Sequence, residues 1–144
     1  MKVLDLFAGS GALGIEALSR GAAHCLFVDS SRAACQLIGQ NLRATGFLAS
    51  ATVWCKDIHK ALSALQADGS EHDLILLDPP YGKVSVAPVL QAISQGAGVG
   101  QTALVVFETA STDQLATDYD NLVLADRRVY GSTSLWFFRY HRPH

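Results

Sequence analysis

The run LILL at Leu74–Leu77 is apolar on every residue, and it limits the fold more than any other stretch of the chain. A strand wetted on one face alternates apolar with polar residues, so an unbroken apolar strand must be covered on both faces, as in a parallel sheet. Lys2–Phe7, Cys25–Asp29, Ala51–Cys55, Asp73–Asp78 and Thr102–Glu108 read as five such strands. Between them Ala34/Leu37/Ile38/Leu42, Ile58/Ala61/Leu62/Leu65 and Val86/Leu90/Ile93 repeat at helical spacing, the last ahead of a glycine-rich stop, GAGVG. The pattern predicts crossover helices between parallel strands: a doubly wound α/β sandwich. Leu122–Val129 and Ser134–Tyr140 depart from it, because the YGST between them is too short for a crossover. They are expected to form an antiparallel hairpin at one edge. With no repeat, linker or low-complexity tract, residues 1–144 read as one domain.

Composition excludes several classes. Apolar residues make up 49% and charged residues 17%, which suits a folded globule and not a disordered chain. The net charge of −2 gives no global basic field for nucleic acid. Arg127, Arg128, Arg139, Arg142, His141 and His144 do gather near the C-terminus, either as a local basic patch or as a solvated edge. No apolar run approaches the ~20 residues of a membrane-spanning helix, and MKVLDLF lacks the layout of a signal peptide. The chain is therefore expected to be cytoplasmic, away from membranes. Cys25, Cys35 and Cys55 have no metal-ligand spacing and sit among apolar neighbours, so they read as buried free thiols, and no metal is expected.

The stretch DLFAGSGALG, Asp5–Gly14, follows the first strand and opens the first helix, with G-x-G-x-x-G at Gly9, Gly11 and Gly14. Such glycines allow a tight turn and close approach of backbone to a ligand at a helix N-terminus. Phe7 and Ala8, between strand and glycines, belong to the same candidate cofactor loop. The second strand ends on Asp29, 20 residues after Gly9, where a carboxylate can take both hydroxyls of a ribose. A nucleoside-containing cofactor follows, either a nicotinamide dinucleotide or S-adenosylmethionine. Asp5 favours the second, since a carboxylate ahead of the loop repels a pyrophosphate but suits a cationic amino-acid end. Asp57, after the third strand in CKDI, is either an acceptor for an adenine amino group or the N-cap of the next helix.

The fourth strand ends in Asp78-Pro79-Pro80-Tyr81. Two prolines lock the backbone, so the Asp78 carboxylate and the Pro79 carbonyl become fixed acceptors beside the crevice. Acceptors on the two N–H bonds of an exocyclic amine return its delocalised lone pair for attack, and Tyr81 offers a face on which a base can stack. The tetrapeptide is also a plain turn with proline punctuation. An NAD-dependent reductase would leave both this tetrapeptide and the terminal hairpin unexplained.

VLDLFAGSGALGIEALSRGA, DPPY and VYGSTSLWFFRY together resemble the bacterial small-subunit rRNA guanine-N2 methyltransferases that modify guanine 966 of 16S rRNA, in the class I S-adenosylmethionine-dependent superfamily. The resemblance covers nearly the whole chain. It implies a Rossmann-like seven-stranded sheet in the order 3-2-1-4-5-7-6 with strand 7 antiparallel. It further implies S-adenosylmethionine as cofactor, S-adenosylhomocysteine as product, and ribosomal RNA or the assembling small subunit as partner. Apart from that resemblance, the chain is expected to act as a monomer. Members of that family carry a segment ahead of the first strand that helps to close the cofactor site and contact RNA. This chain begins almost on the strand and is expected to lack it. A DNA adenine-N6 methyltransferase, and a non-catalytic module binding S-adenosylmethionine or RNA, are the alternatives.

Overall fold

A computed structural model describes residues 1–79, 86–110 and 118–143. β1 (Lys2–Leu6), β2 (His24–Asp29), β3 (Ala51–Cys55), β4 (His72–Leu77) and β5 (Val99–Ala110) are parallel. They are joined through α1 (Ala12–Ser19), α2 (Arg32–Thr45), α3 (Ile58–Asp68) and α4 (Ala87–Ser94). A two-residue β6 (Asp118–Tyr119) then precedes β7 (Leu122–Tyr130) and β8 (Thr133–Tyr140). The chain turns back between β7 and β8 at Gly131, whose φ of 58° suits a residue without Cβ. β8 inserts between β5 and β7, antiparallel to both, so the sheet order is 3-2-1-4-5-8-7-6. Set β6 aside and the seven longer strands follow the expected 3-2-1-4-5-7-6, the last of them antiparallel. β6 is too short for its alternation to be read from sequence.

Residue parity divides the core between the two sheet faces. Leu4, Leu6, Leu26, Val28, Ile75 and Leu77 pack with Leu62 and Leu65 of α3 and Leu90 and Ile93 of α4. Val3, Cys25 and Phe27 pack on the opposite face with Leu18 of α1 and Ile38 and Leu42 of α2. Each fully buried large side chain contributes roughly 1.5–3 kcal/mol. The sheet is expected to be covered on both faces, and on the α1/α2 face the coverage fades past β1. Leu74 and Leu76 on β4, Leu104 and Val106 on β5, and Leu135 and Phe137 on β8 are half-buried there. α1 and α2 lie over β1–β3, and a hairpin brings strands without bringing crossover helices.

The expectation of three buried thiols holds for Cys25 alone: Cys35 is half-buried and Cys55 exposed. β3 is the edge of the sheet, so its last residue has a neighbouring strand on one side only, where it pairs with Asp29. β5 begins within the glycine stop, at Val99, three residues ahead of the Thr102 the sequence suggests. Among the described residues, no helix is long and apolar enough to cross a membrane.

Candidate active site

Parallel strands bring their C-terminal ends to one edge, and here β1 to β5 open together on a crevice of about 880 Å³. That volume suits a ligand of nucleoside size or larger. Its floor is the turn from β1 into α1. Phe7 takes a left-handed φ of 59°, rare for an aromatic side chain, and Gly9 follows at 61°. A Cβ on Gly9 would meet nothing within 4 Å, so the backbone there fronts open space. Phe7, Ala8, Gly9 and Asp29 all line the crevice. Gly9 N–H donates to Asp29 Oδ2 at 2.9 Å, and Ser31 N–H donates to Asp29 Oδ1 at 2.9 Å. One amide on each oxygen fixes the carboxylate's plane, and the remaining lone pairs leave it able to accept two vicinal hydroxyls.

Gly11 does not line the crevice. It is buried behind it as the residue preceding α1, with φ 82°, and a Cβ would meet Ile38 at 3.3 Å. Gly14 is tighter still, with an imagined Cβ only 2.4 Å from Phe27. The second and third glycines of the motif therefore serve helix–sheet packing, and the first serves the crevice.

Asp5 is 1% exposed. Its Oδ2 accepts Gly14 N–H at 3.0 Å, so the protein's own carboxylate occupies the N-terminal turn of α1. A pyrophosphate arriving there would meet a buried acid, which removes the dinucleotide alternative on physical grounds. Burial raises the pKa of Asp5 to about 7, the Gly14 amide opposes the shift, and the charges of Asp78 and Asp29 add to it. A cation brought into the crevice relieves that unfavourable charge. A carboxylate with lone pairs free for vicinal hydroxyls, an open backbone turn and a buried acid calling for a cation together fit S-adenosylmethionine.

Asp57 is the N-cap of α3 and also stands on the crevice. Its Oδ2 accepts His59 N–H at 3.1 Å and Lys60 N–H at 3.3 Å. Asp78, exposed just past β4, and Pro79, buried beside it, form the next part of the wall. Pro80 and Tyr81 lie outside the described residues. Glu108, near the end of β5, also lines the crevice, and burial together with neighbouring Asp78 raises its pKa. Sequence reasoning places Glu108 at the end of a strand without giving it a part. The rule that strand C-termini meet at the crevice, applied to β5 as it is to β1–β4, marks it out.

The C-terminal cations do not form one patch. β8 runs against β5, which sends Arg139 to the edge of the sheet away from the crevice, where it donates to Thr102 O at 3.2 Å. Arg142 pairs with Glu71 near the same edge. Arg127 and Arg128 lie towards the crevice edge, level with Trp136 and Leu135, the strand partners of Phe107 and Glu108. Arg127 stacks 4.1 Å over Trp136, and Arg128 pairs with Asp126. His144 lies outside the described residues. Among the described residues, no group of three His, Cys, Asp or Glu side chains is arranged to hold a metal.

A doubly wound sheet with an antiparallel inserted strand, and acids at the ends of successive strands around a glycine turn, define a class I S-adenosylmethionine-dependent methyltransferase. The solved structure of a putative methyltransferase, yhhF, from Escherichia coli superposes with a TM-score of 0.85 at 30% identity, over 99% of this chain and 78% of that one. The chain belongs to the family described as Conserved hypothetical protein 95, which it matches over residues 1–139. A putative rRNA methyltransferase of Bacillus subtilis (strain 168), YlbH, is 35% identical over 136 residues, 94% of this chain and 74% of the relative. Ribosomal RNA small subunit methyltransferase D of Escherichia coli (strain K12) is 33% identical over 131 residues. Of that relative's own length the chain spans 64%.

Proposed function

We propose that this domain transfers a methyl group from S-adenosylmethionine to the exocyclic N2 amine of a guanine in small-subunit ribosomal RNA, acting as a monomer in the cytoplasm. The observation that carries the chemistry is the position of Asp78 and Pro79 at the end of β4, on the same crevice as Asp5 and Asp29. The RNA class rests on the relatives in which a small-subunit rRNA methyltransferase is named.

Asp29 holds the ribose hydroxyls, Asp57 accepts from the adenine amino group through lone pairs its N-cap bonds leave free, and Asp5 faces the cationic amino-acid end. Phe7, Ala8 and Gly9 form the floor against which the nucleoside lies. When bound, S-adenosylmethionine would supply an activated sulfonium methyl, its sulfur being the leaving group. Asp78 Oδ and the Pro79 carbonyl accept the two N–H bonds of the target amine, which restores its lone pair for attack in line with that methyl. As the N–C bond forms, Asp78 takes the surplus amine proton, and its exposure lets water carry the proton away. In this reading Tyr81 offers the base a stacking face. No covalent enzyme intermediate and no metal are required.

The test is transfer of labelled methyl to 16S rRNA and to small subunits lacking the modification, followed by nuclease digestion and mass spectrometry. N2-methylguanosine is the expected product. Label in adenine of DNA, or binding of the cofactor with no transfer to any RNA, would replace this reading by one of its two alternatives.

A further inference from the structure

β4 and β5 are parallel with Leu77 opposite Phe107, so the next pair along the two strands is Asp78 and Glu108. Strand alternation sets Leu74, Leu76 and Asp78 on one sheet face, and Leu104, Val106 and Glu108 on the same face of the neighbouring strand. Two carboxylates thus stand level and side by side at the lip of the crevice, and both line it. After burial, Asp78 is the neighbour that raises the pKa of Glu108, as expected of two carboxylates set side by side. Among the described residues, neither is in an ion pair with a Lys, Arg or His. Like charges directly across strands destabilise a sheet, so this arrangement needs a reason outside folding.

The edge of the proposed target gives one. Guanine presents two neighbouring donors, the N2 amine and the ring N1–H, whereas adenine presents one amine beside an N1 lone pair. Two adjacent acceptors match the first edge, and the second acceptor faces a lone pair on the other. We propose that Glu108 selects the base: its carboxylate accepts the N1–H of a guanine whose N2 amine is held at Asp78. This rests on the guanine-N2 reading above and adds to it the group that excludes adenine. Glu108 is half-buried, so a base that leaves its carboxylate without a donor in the closed complex is disfavoured, because the acceptor is then left unpaired.

The experiment compares two RNA fragments spanning the mapped target, one with guanine and one with 2-aminopurine there. 2-Aminopurine keeps the N2 amine and replaces N1–H by a lone pair. Both are offered to the wild-type chain and to Glu108→Gln, whose amide can donate to that lone pair. Wild type is expected to prefer guanine by ~100-fold or more in kcat/KM. In the variant the preference should shrink at least tenfold, through a gain on 2-aminopurine as well as a loss on guanine. A wild type that methylates both bases equally overturns the proposal without any variant. A variant that loses the same factor on both RNAs also overturns it. So does a variant that keeps its preference but binds S-adenosylhomocysteine at least tenfold more weakly by calorimetry, since Glu108 then serves the cofactor. If wild type fails on guanine RNA altogether, the guanine-N2 reading falls and Glu108's part falls with it.

Discussion

Lowering the pH should weaken cofactor binding through Asp5, and the structure fixes both the direction and the size. Asp5 has a pKa raised to about 7 chiefly by burial, so it is largely protonated at pH 6 and largely ionised at pH 8. Only the ionised form attracts the cationic end of the cofactor. The ionised fraction moves from about one-tenth to about nine-tenths between those pH values, a ~10-fold change in affinity or ~1.4 kcal/mol. A second consequence has the opposite sense for the free protein. An acid whose pKa rises on folding lends stability at pH below its unfolded value near 3.8 and loses it as pH climbs through about 7. Asp5 therefore costs the free domain up to roughly 4 kcal/mol at pH 8. Asp5→Asn keeps an acceptor for Gly14 N–H and removes the titration. Calorimetry with S-adenosylhomocysteine at pH 6 and 8 should give wild type a tenfold change that the variant lacks. The ratio of the two cancels ionisation of the ligand's own amino group. Denaturant unfolding at pH 8 should find the free variant more stable. Equal pH dependence in both proteins, or a variant less stable at pH 8, would refute the account of Asp5 as a strained acid awaiting a cation.

Other substitutions probe the remaining parts. Asp78→Ala should lower kcat by ~100-fold or more, in the range of a lost transition-state hydrogen bond, with cofactor affinity changed only a few-fold; undiminished turnover contradicts its acceptor part. Asp29→Ala should weaken S-adenosylhomocysteine binding by ~1.5–3 kcal/mol in calorimetry, and unchanged affinity removes the ribose assignment. Gly14→Ala, with Phe27 2.4 Å and Cys25 2.8 Å from the new Cβ, should destabilise by ~1–3 kcal/mol, whereas Gly39→Ala, in open space on α2, should stabilise by up to ~1 kcal/mol. Denaturation midpoints of the same sign for the two would undo that contrast. Methyl transfer should be unaffected by a chelator; loss of activity restored by a divalent ion would require a metal in the mechanism.

The parallel strands were legible because each is an apolar run with a helical segment behind it, whereas their order was implied by the family resemblance. Asp29, Asp57 and Asp78 close or follow those runs, and Asp5 lies near the end of the first. Glu108 was harder to see. It lies inside a strand that continues to Ala110, so no turn residue announces the sheet edge there, and its value comes from register with β4. Gly11 misled for a related reason: the motif identifies a glycine loop, but which glycine fronts the ligand and which admits Phe27 and Ile38 depends on packing. The C-terminal arginines are neighbours in sequence and are parted by strand direction, which composition does not encode.

The sheet order also bears on how the molecule comes into being. β1 is made first yet ends in the middle, between β2 and β4, and Lys2 N–H finds Asp73 only 71 residues later. Residues 1–57 bring Asp5, Asp29 and Asp57, the proposed cofactor half of the crevice, as one βαβαβ piece with a bare strand edge. The half that holds Asp78 and Glu108 is built onto that edge afterwards. Non-local pairing of this kind is slow to form and leaves β1 unpaired on one side during synthesis, so folding of the emerging chain waits on β4. On the proposed assignment the two ligands of the reaction would be received by two successively synthesised pieces, joined covalently by the single run from Asp57 to Asp78.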